Sequence, residues 1–316
     1  MSATFTELAE DYVAMRRSLG YRLGGQAVYL RNFAGFLDRS GQDGPVPLAL
    51  SVEWATATSS SDPRNPARRL MVVRGFLRHL AALDGTTEIP PPGLLGPTLH
   101  RTPPHVYSDE EIASLLRGAA ELSPPEGLRP HCYVALFGLL ACTGLRISEA
   151  LALSRDDVDL SEGVLTVRAG KGGKSRLVPL HPSALEPLRS YALRRDGFGA
   201  TLGSDAFFRT DRCDQLTYEA VSGTFERLRR QLGWTGQGRT RSPRLHDLRH
   251  RMVVKRILLW HAEGVNVDAK MAVLATYLGH VLVSDLYWYF SATPELMNVV
   301  AERFEAFGEQ FSAGVR

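Results

Sequence analysis

The chain has 316 residues, about twice the length of an ordinary domain, so two domains are expected, one of them large. With 44% hydrophobic and 22% charged residues both can build cores, which excludes a disordered chain. The net charge of +3, from 37 basic against 34 acidic residues, does not mark a polyanion partner by itself, so the placement of charge has to be followed along the sequence.

The first residues, Met1 to Glu7, show no positive region leading into an apolar stretch, so no secretory signal is expected and a cytoplasmic location follows. Apolar residues at helical spacing predict helices over Phe5 to Leu19, Ala27 to Leu37 and Pro66 to Leu83. On the last of these Leu70, Val73, Leu77 and Leu80 share one side, while Arg64, Arg68, Arg74 and Arg78 share an arc on the other. Such a basic stripe suits a phosphate backbone, or is a solvated outer face. Pro90, Pro91, Pro92, Gly93, Gly96, Pro103 and Pro104 cannot continue a helix. The expected organisation is a helical domain over 1–87, a linker over 88–106 and a second domain over 107–316.

The second domain opens at Ser108, with Glu111 at capping-box spacing. The longest apolar run, Cys132 to Cys142, has eleven residues, well short of the roughly 18 to 20 that span a bilayer, and reads as a buried helix; no membrane partner is expected. Thr143-Gly144 breaks that helix before another run from Arg146 to Leu153. Two strand-like runs, Val164 to Arg168 and Ser175 to Leu180, flank Gly170-Lys-Gly-Gly-Lys174 and predict a β-hairpin with lysines at its tip. Helices are expected again over Pro182 to Arg195, Thr217 to Leu232, His246 to His261, Ala269 to Leu278 and Pro294 to Phe311. The fold class is mainly α with a small β-hairpin. The three cysteines, 132, 142 and 213, support neither a disulfide framework nor a thiolate metal site, and no cofactor is expected.

Two features of the charge are informative. Only four basic residues are lysines, and Lys171 and Lys174 lie together at the hairpin tip; lysine can release a proton near neutral pH and arginine cannot. Between Arg239 and Arg256 seven basic residues, including Arg239, Arg241 and Arg244, face one acid, Asp247, so 18 residues carry +6. A field of that size beside a helix start attracts a polyanion, or belongs to a basic surface loop.

Four constellations could carry chemistry: Thr143 to Glu149, the lysine-tipped hairpin, His246-Asp-Leu-Arg-His250, and Leu278-Gly-His280 with Tyr289 nine residues after His280. Cleaving a phosphodiester without a metal needs a nucleophile, fixed cations at the pentavalent phosphate and a proton for the leaving alkoxide. Arg146 and Arg249 can clamp the oxygens, a hairpin lysine can protonate the leaving group, histidines can move the nucleophile's proton, and a tyrosine can attack. Duller roles exist: Arg146 can pair with Glu149, His280 can cap a helix, and Tyr289 can be core.

The order T-G-L-R-x-S-E, G-K-G-x-K-x-R-x-V-P-L, H-x-L-R-H and L-G-H with a following tyrosine resembles the tyrosine recombinase (phage integrase) family over roughly residues 106 to 300. The resemblance implies a helical core-binding domain followed by an α+β catalytic domain, holding duplex DNA between them. It places the family's phosphate-binding arginines on Arg146 and Arg249, its hairpin lysine on Lys171, its histidines on His246 and His280 and its nucleophile on Tyr289. Tyr287, on the opposite side of a helix at about 200°, is the alternative nucleophile. The implied activity is site-specific cutting and rejoining of double-stranded DNA through a 3′-phosphotyrosyl link, without metal or ATP, in integration, excision or transposition of a mobile element. A homotetramer on synapsed sites, sometimes with other recombinases, is implied as well, with the tail from about Pro294 as the exchange contact. The wording Tyr-Trp-Tyr-Phe resembles transposase-type members. The rivals are a catalytically silent DNA-binding partner subunit, a type IB topoisomerase, and a zinc protease built on His246 and His250 that lacks the required glutamate.

Overall fold

The computed structural model describes residues 3–97, 103–168, 175–198, 204–236, 242–292, 296–298 and 301. The chain divides into two compact units, Met1–Arg101 and Thr102–Arg316.

The first unit is helical: α1 (Phe5–Ser18), α2 (Gly24–Arg39), α3 (Leu48–Thr56) and α4 (Asn65–Asp84). Thr4 and Glu7 close a capping box at the start of α1. Gly85, at φ +71°, ends α4 in the left-handed conformation that glycine adopts without steric cost. Val13, Phe33, Leu37, Trp54, Val73, Phe76 and Leu77 form the core, and the Trp54 indole donates to Asn32 Oδ1 at 2.9 Å. α3 is absent from the periodicity reading because only Ser51, Trp54 and Ala55 of its nine residues are buried, too few to repeat a pattern. Pro90–Pro97 lies along α4 beside Ala67, Leu70 and Met71.

The second unit is built around α6 (Leu128–Thr143), whose apolar run is buried on nearly all sides. Against it pack α5 (Asp109–Ala120), α8 (Pro182–Gly197) and α10 (Asp247–Ala262). Ser108 and Glu111 form the expected capping box of α5. Between α7 (Ile147–Leu151) and α8 runs an antiparallel sheet of β1 (Val158–Asp159), β2 (Val164–Val167) and β3 (Arg176–Pro179) in that order. Leu165 pairs with Val178 and Val167 with Arg176, so the hairpin forms as expected, with the short β1 added. Leu165, Val167 and Val178 turn one face of the sheet into the core.

α9 (Tyr218–Gln231) completes that core, while α11 (Val267–Leu278) and α12 (Ser284–Ala292) join α10 in a second cluster. On α12 Leu286 and Tyr289, three residues apart, are buried on one face, and Tyr287 is exposed. Leu296 joins the cluster; the remainder of the helix expected over Pro294 to Phe311, save 297, 298 and 301, lies outside the described residues. Among the described residues no helix is long and apolar enough to cross a membrane.

Candidate active site

Three chain reversals of the second unit meet in one place. The first follows α6, where Gly144 at φ +65° stops the helix; a Cβ there would come within 3.3 Å of Leu278 and of Met252. The second is the first turn of α10, and the third follows α11, where Gly279 at φ +69° ends the helix before His280.

Arg249 links all three. It is 3% exposed, donates to the Gly144 carbonyl at 2.7 Å and to the Leu278 carbonyl at 2.8 Å, and acts on the Tyr289 phenol, whose pKa its charge lowers. No carboxylate forms an ion pair with it among the described residues. Burial, reinforced by the neighbouring charge of Arg146, pushes its pKa down to about 10. A guanidinium held dry without a counter-charge carries a desolvation penalty of several kcal/mol that an arriving anion would offset.

Arg146 precedes α7 and pairs with Glu149, as the duller reading held, through Nη1 to Oε1 at 2.8 Å; its backbone N–H donates to Oε2 at 3.0 Å. The pairing does not neutralise the site, because Arg176 shares the same carboxylate, at 3.2 and 2.9 Å. Burial raises the Glu149 pKa, but the bonds from Arg176 and Arg146 outweigh it and hold the carboxyl below its ordinary value. Arg146, Arg176 and Arg249 against Glu149 leave an excess of positive charge.

The histidines are neutral at neutral pH. Burial, then the charge of Arg249, lowers His246, and the same two causes bring His280 to about 4 despite Asp285, whose Oδ2 lies 3.5 Å from Nδ1. His280 Nε2 is buried and has no hydrogen-bond partner among the described residues. Tyr289 is 3% exposed and its pKa is raised by burial, with Arg249 and Arg146 opposing. Tyr287, half exposed, lies on the other side of α12, so it is Tyr289 that the fold brings to the guanidiniums. Two guanidiniums, two neutral imidazoles and a phenol can grip a tetrahedral oxyanion and present an oxygen nucleophile to it.

Arg146, His246, Arg249, His280 and Tyr289 therefore come together. Lys171, Lys174, Arg239 and Arg241 lie outside the described residues, although the strand that follows the lysines in sequence starts at the site with Arg176. Arg244 is paired with Asp247 at 2.8 Å. On α4 the basic arc is partly engaged: Arg64 and Arg68 share Asp62, at 2.8 and 3.0 Å, and Arg74 donates to the Pro90 carbonyl at 2.6 Å, while Arg78 is exposed. A helical wheel does not register an acid or a carbonyl contributed by the flanking loops.

Two site residues were not singled out for a role in the sequence. Arg176 stands in the K-x-R-x-V-P-L wording, which was the available signal. His250 entered only as a zinc ligand; its ring stacks edge-on to His246, centroids 4.9 Å apart, and lies 5.2 Å from Tyr289. Among the described residues no three His, Cys, Asp or Glu side chains gather as a metal site.

The phage integrase family model matches residues 107–295. The y4rB protein of Sinorhizobium fredii, which bears an integrase/recombinase name, is 39% identical over 308 residues, covering 96% of this chain and 98% of that one. Tyrosine recombinase XerD of Pseudomonas putida is 32% identical over 226 residues, covering 69% and 67%. In fold, the Tn1549 transposon integrase in complex with a circular intermediate DNA aligns with TM-score 0.67 at 17% identity, covering 96% of this chain and 100% of that one. A lambda integrase dimer bound to a COC′ core site aligns with TM-score 0.62 at 17% identity, covering 91% and 77%. With a family model matched across most of the second unit and a relative alike from end to end, this chain belongs to the phage integrase family.

Proposed function

We propose that the chain is a site-specific DNA recombinase that cuts and rejoins strands of double-stranded DNA, with Tyr289 as nucleophile. The observation that carries the reading is Arg249, buried without a carboxylate partner among the described residues and near enough to the buried Tyr289 phenol for its charge to lower the phenol's pKa. A scissile phosphate would supply the missing counter-charge between Arg249 and Arg146. The Tyr289 oxygen attacks phosphorus as its proton passes to a neutral histidine, for which His246 and His280 are the candidates, and the phosphorus–O5′ bond breaks. Lys171 gives a proton to the departing 5′ oxygen. A 3′-phosphotyrosyl link and a 5′-hydroxyl result, and attack by the 5′-hydroxyl of another strand reverses the step. The ester's energy is kept in the link, so rejoining needs no ATP.

This chemistry serves integration, excision or transposition of a mobile element in the cytoplasm. A homotetramer on two synapsed sites, with the tail from about Pro294 exchanged between protomers, accounts for two reciprocal strand exchanges; other recombinases can take part. Arg64, Arg68, Arg74, Arg78, Lys174, Arg239, Arg241 and Arg244 are the candidates for backbone contacts. A catalytically silent partner subunit is not favoured, since the five described reactive side chains converge.

The test is incubation with DNA carrying the ends of the chain's own mobile element in EDTA, followed by denaturing electrophoresis and peptide mapping. A covalent adduct on Tyr289, lost in Tyr289→Phe, is expected. Binding to a verified site with no adduct would establish the silent subunit instead.

A further inference from the structure

Arg176 joins two parts of the site, Glu149 and the last turn of α11, without having been given a chemical role in it. It begins β3, directly after the hairpin segment that carries the lysines, and its side chain is 9% exposed. Its Nη1 and Nη2 bind Glu149 in fork geometry, and its Nε donates to the Tyr277 carbonyl at 2.8 Å. The fork fixes the carboxylate in plane, and that carboxylate holds both the backbone and the guanidinium of Arg146. At the other end, Gly279 lies so close that a Cβ there would meet Arg176 Nη1 at 2.7 Å, and His280 is the next residue. The last turn of α11 is thus gripped by two arginines, Arg176 on the Tyr277 carbonyl and Arg249 on the Leu278 carbonyl.

We infer that Arg176 is a positioning residue for strand cleavage: through Glu149 it aligns the Arg146 guanidinium on the phosphate, and through the Tyr277 carbonyl it fixes the turn that presents His280. Lysine in its place keeps the charge but cannot span Glu149 and the carbonyl with one rigid fork. The inference rests on the recombinase reading, and its test separates the two.

Single-turnover adduct formation is measured on a site-bearing duplex with either an ordinary phosphodiester or a methylphosphonate at the cleavage position. The methyl group removes the charge that Arg146 serves, so misalignment of Arg146 harms the first substrate and spares the second. Arg176→Met is expected to bind the duplex as the wild type does and to slow diester cleavage on the order of 100-fold, the scale of losing one preorganised donor. On the methylphosphonate the loss should be several times smaller, Arg146→Met should show the same selectivity, and the double variant should be slower than Arg146→Met only by the small factor that Arg176→Met costs on the methylphosphonate, the share that the His280 turn carries. Arg176→Lys should show the same pattern in weaker form, and it carries the test if Arg176→Met does not fold. Folded variants that cleave the diester at the wild-type rate, or that lose both substrates by the same factor, overturn the inference while the recombinase reading stands. A wild-type chain that forms no Tyr289 adduct on its verified site overturns both.

Discussion

Arg249→Met separates what the buried guanidinium costs the fold from what it does for the reaction. Burial and the nearby Arg146 bring its pKa from 12.5 to about 10. That lowering corresponds to roughly 3.5 kcal/mol, at about 1.4 kcal/mol for each tenfold change in proton affinity. The sign is that of a depressed base: below pH 10 the group is charged in both states, so the folded chain carries the penalty in full at neutral pH. Opposing it are the bonds to the Gly144 and Leu278 carbonyls, each worth about 1.5 to 3 kcal/mol for a charged donor. Methionine removes penalty and bonds together while filling much of the volume. Unfolding free energy should therefore change by less than about 2 kcal/mol, where truncating a side chain this buried ordinarily costs about 2 to 5 kcal/mol. Urea unfolding followed by tryptophan fluorescence measures the first quantity, and adduct formation should fall at least about 100-fold. A loss of stability above about 4 kcal/mol would refute the reasoning, because Arg249 would then be a structural tie and its missing counter-charge would carry no meaning.

Tyr289→Phe should fold and bind DNA but form no adduct, and Tyr287→Phe should form it at the wild-type rate; an adduct mapping to residue 287 would reverse the assignment. His250 is held down to about 3 by burial and by His246, and His280 to about 4, so both favour the folded state fully above about pH 6.5, the unfolded value, and lose that contribution as pH falls towards 4. His250→Phe should flatten the decline of the urea midpoint between pH 7 and pH 4.5, and an unchanged slope counts against the burial argument. Gly144→Ala forces a left-handed backbone on alanine and presses Leu278 and Met252; we expect about 1 to 3 kcal/mol lost and slower cleavage, since the carbonyl that holds Arg249 is displaced.

What was legible in the sequence is what local chemistry determines. The Ser108 box, the Gly144 stop and the alternation in the hairpin each depend on a few neighbouring residues, and all appear in the fold. Arg146, His246, Arg249, His280 and Tyr289 were chosen by chemistry and resemblance, and their convergence depends on packing among α6, α10, α11 and α12. The role of Arg176 was hidden because its partners, Glu149 and Tyr277, lie 27 and 101 residues away in sequence. α3 escaped because a helix of nine residues with three buried ones has no visible period. The engagement of Arg64 and Arg68 was missed because Asp62 precedes the helix on which they were counted.

The pairing of Leu286 with Tyr289 on α12 bears on how such an enzyme could lose its activity. Leu286 is fully buried and sets the helix's rotational phase, while Val281 and Leu282 before it are exposed and free to vary in chemistry. What must be kept is an interval of three residues. One extra residue between Leu286 and Tyr289 would carry the hydroxyl about 100° round the helix, away from the face that Leu286 buries. Every arginine and histidine of the site would remain, so, with Tyr289 as the proposed nucleophile, a single inserted codon is expected to leave a protein that still grips its DNA and no longer cuts it.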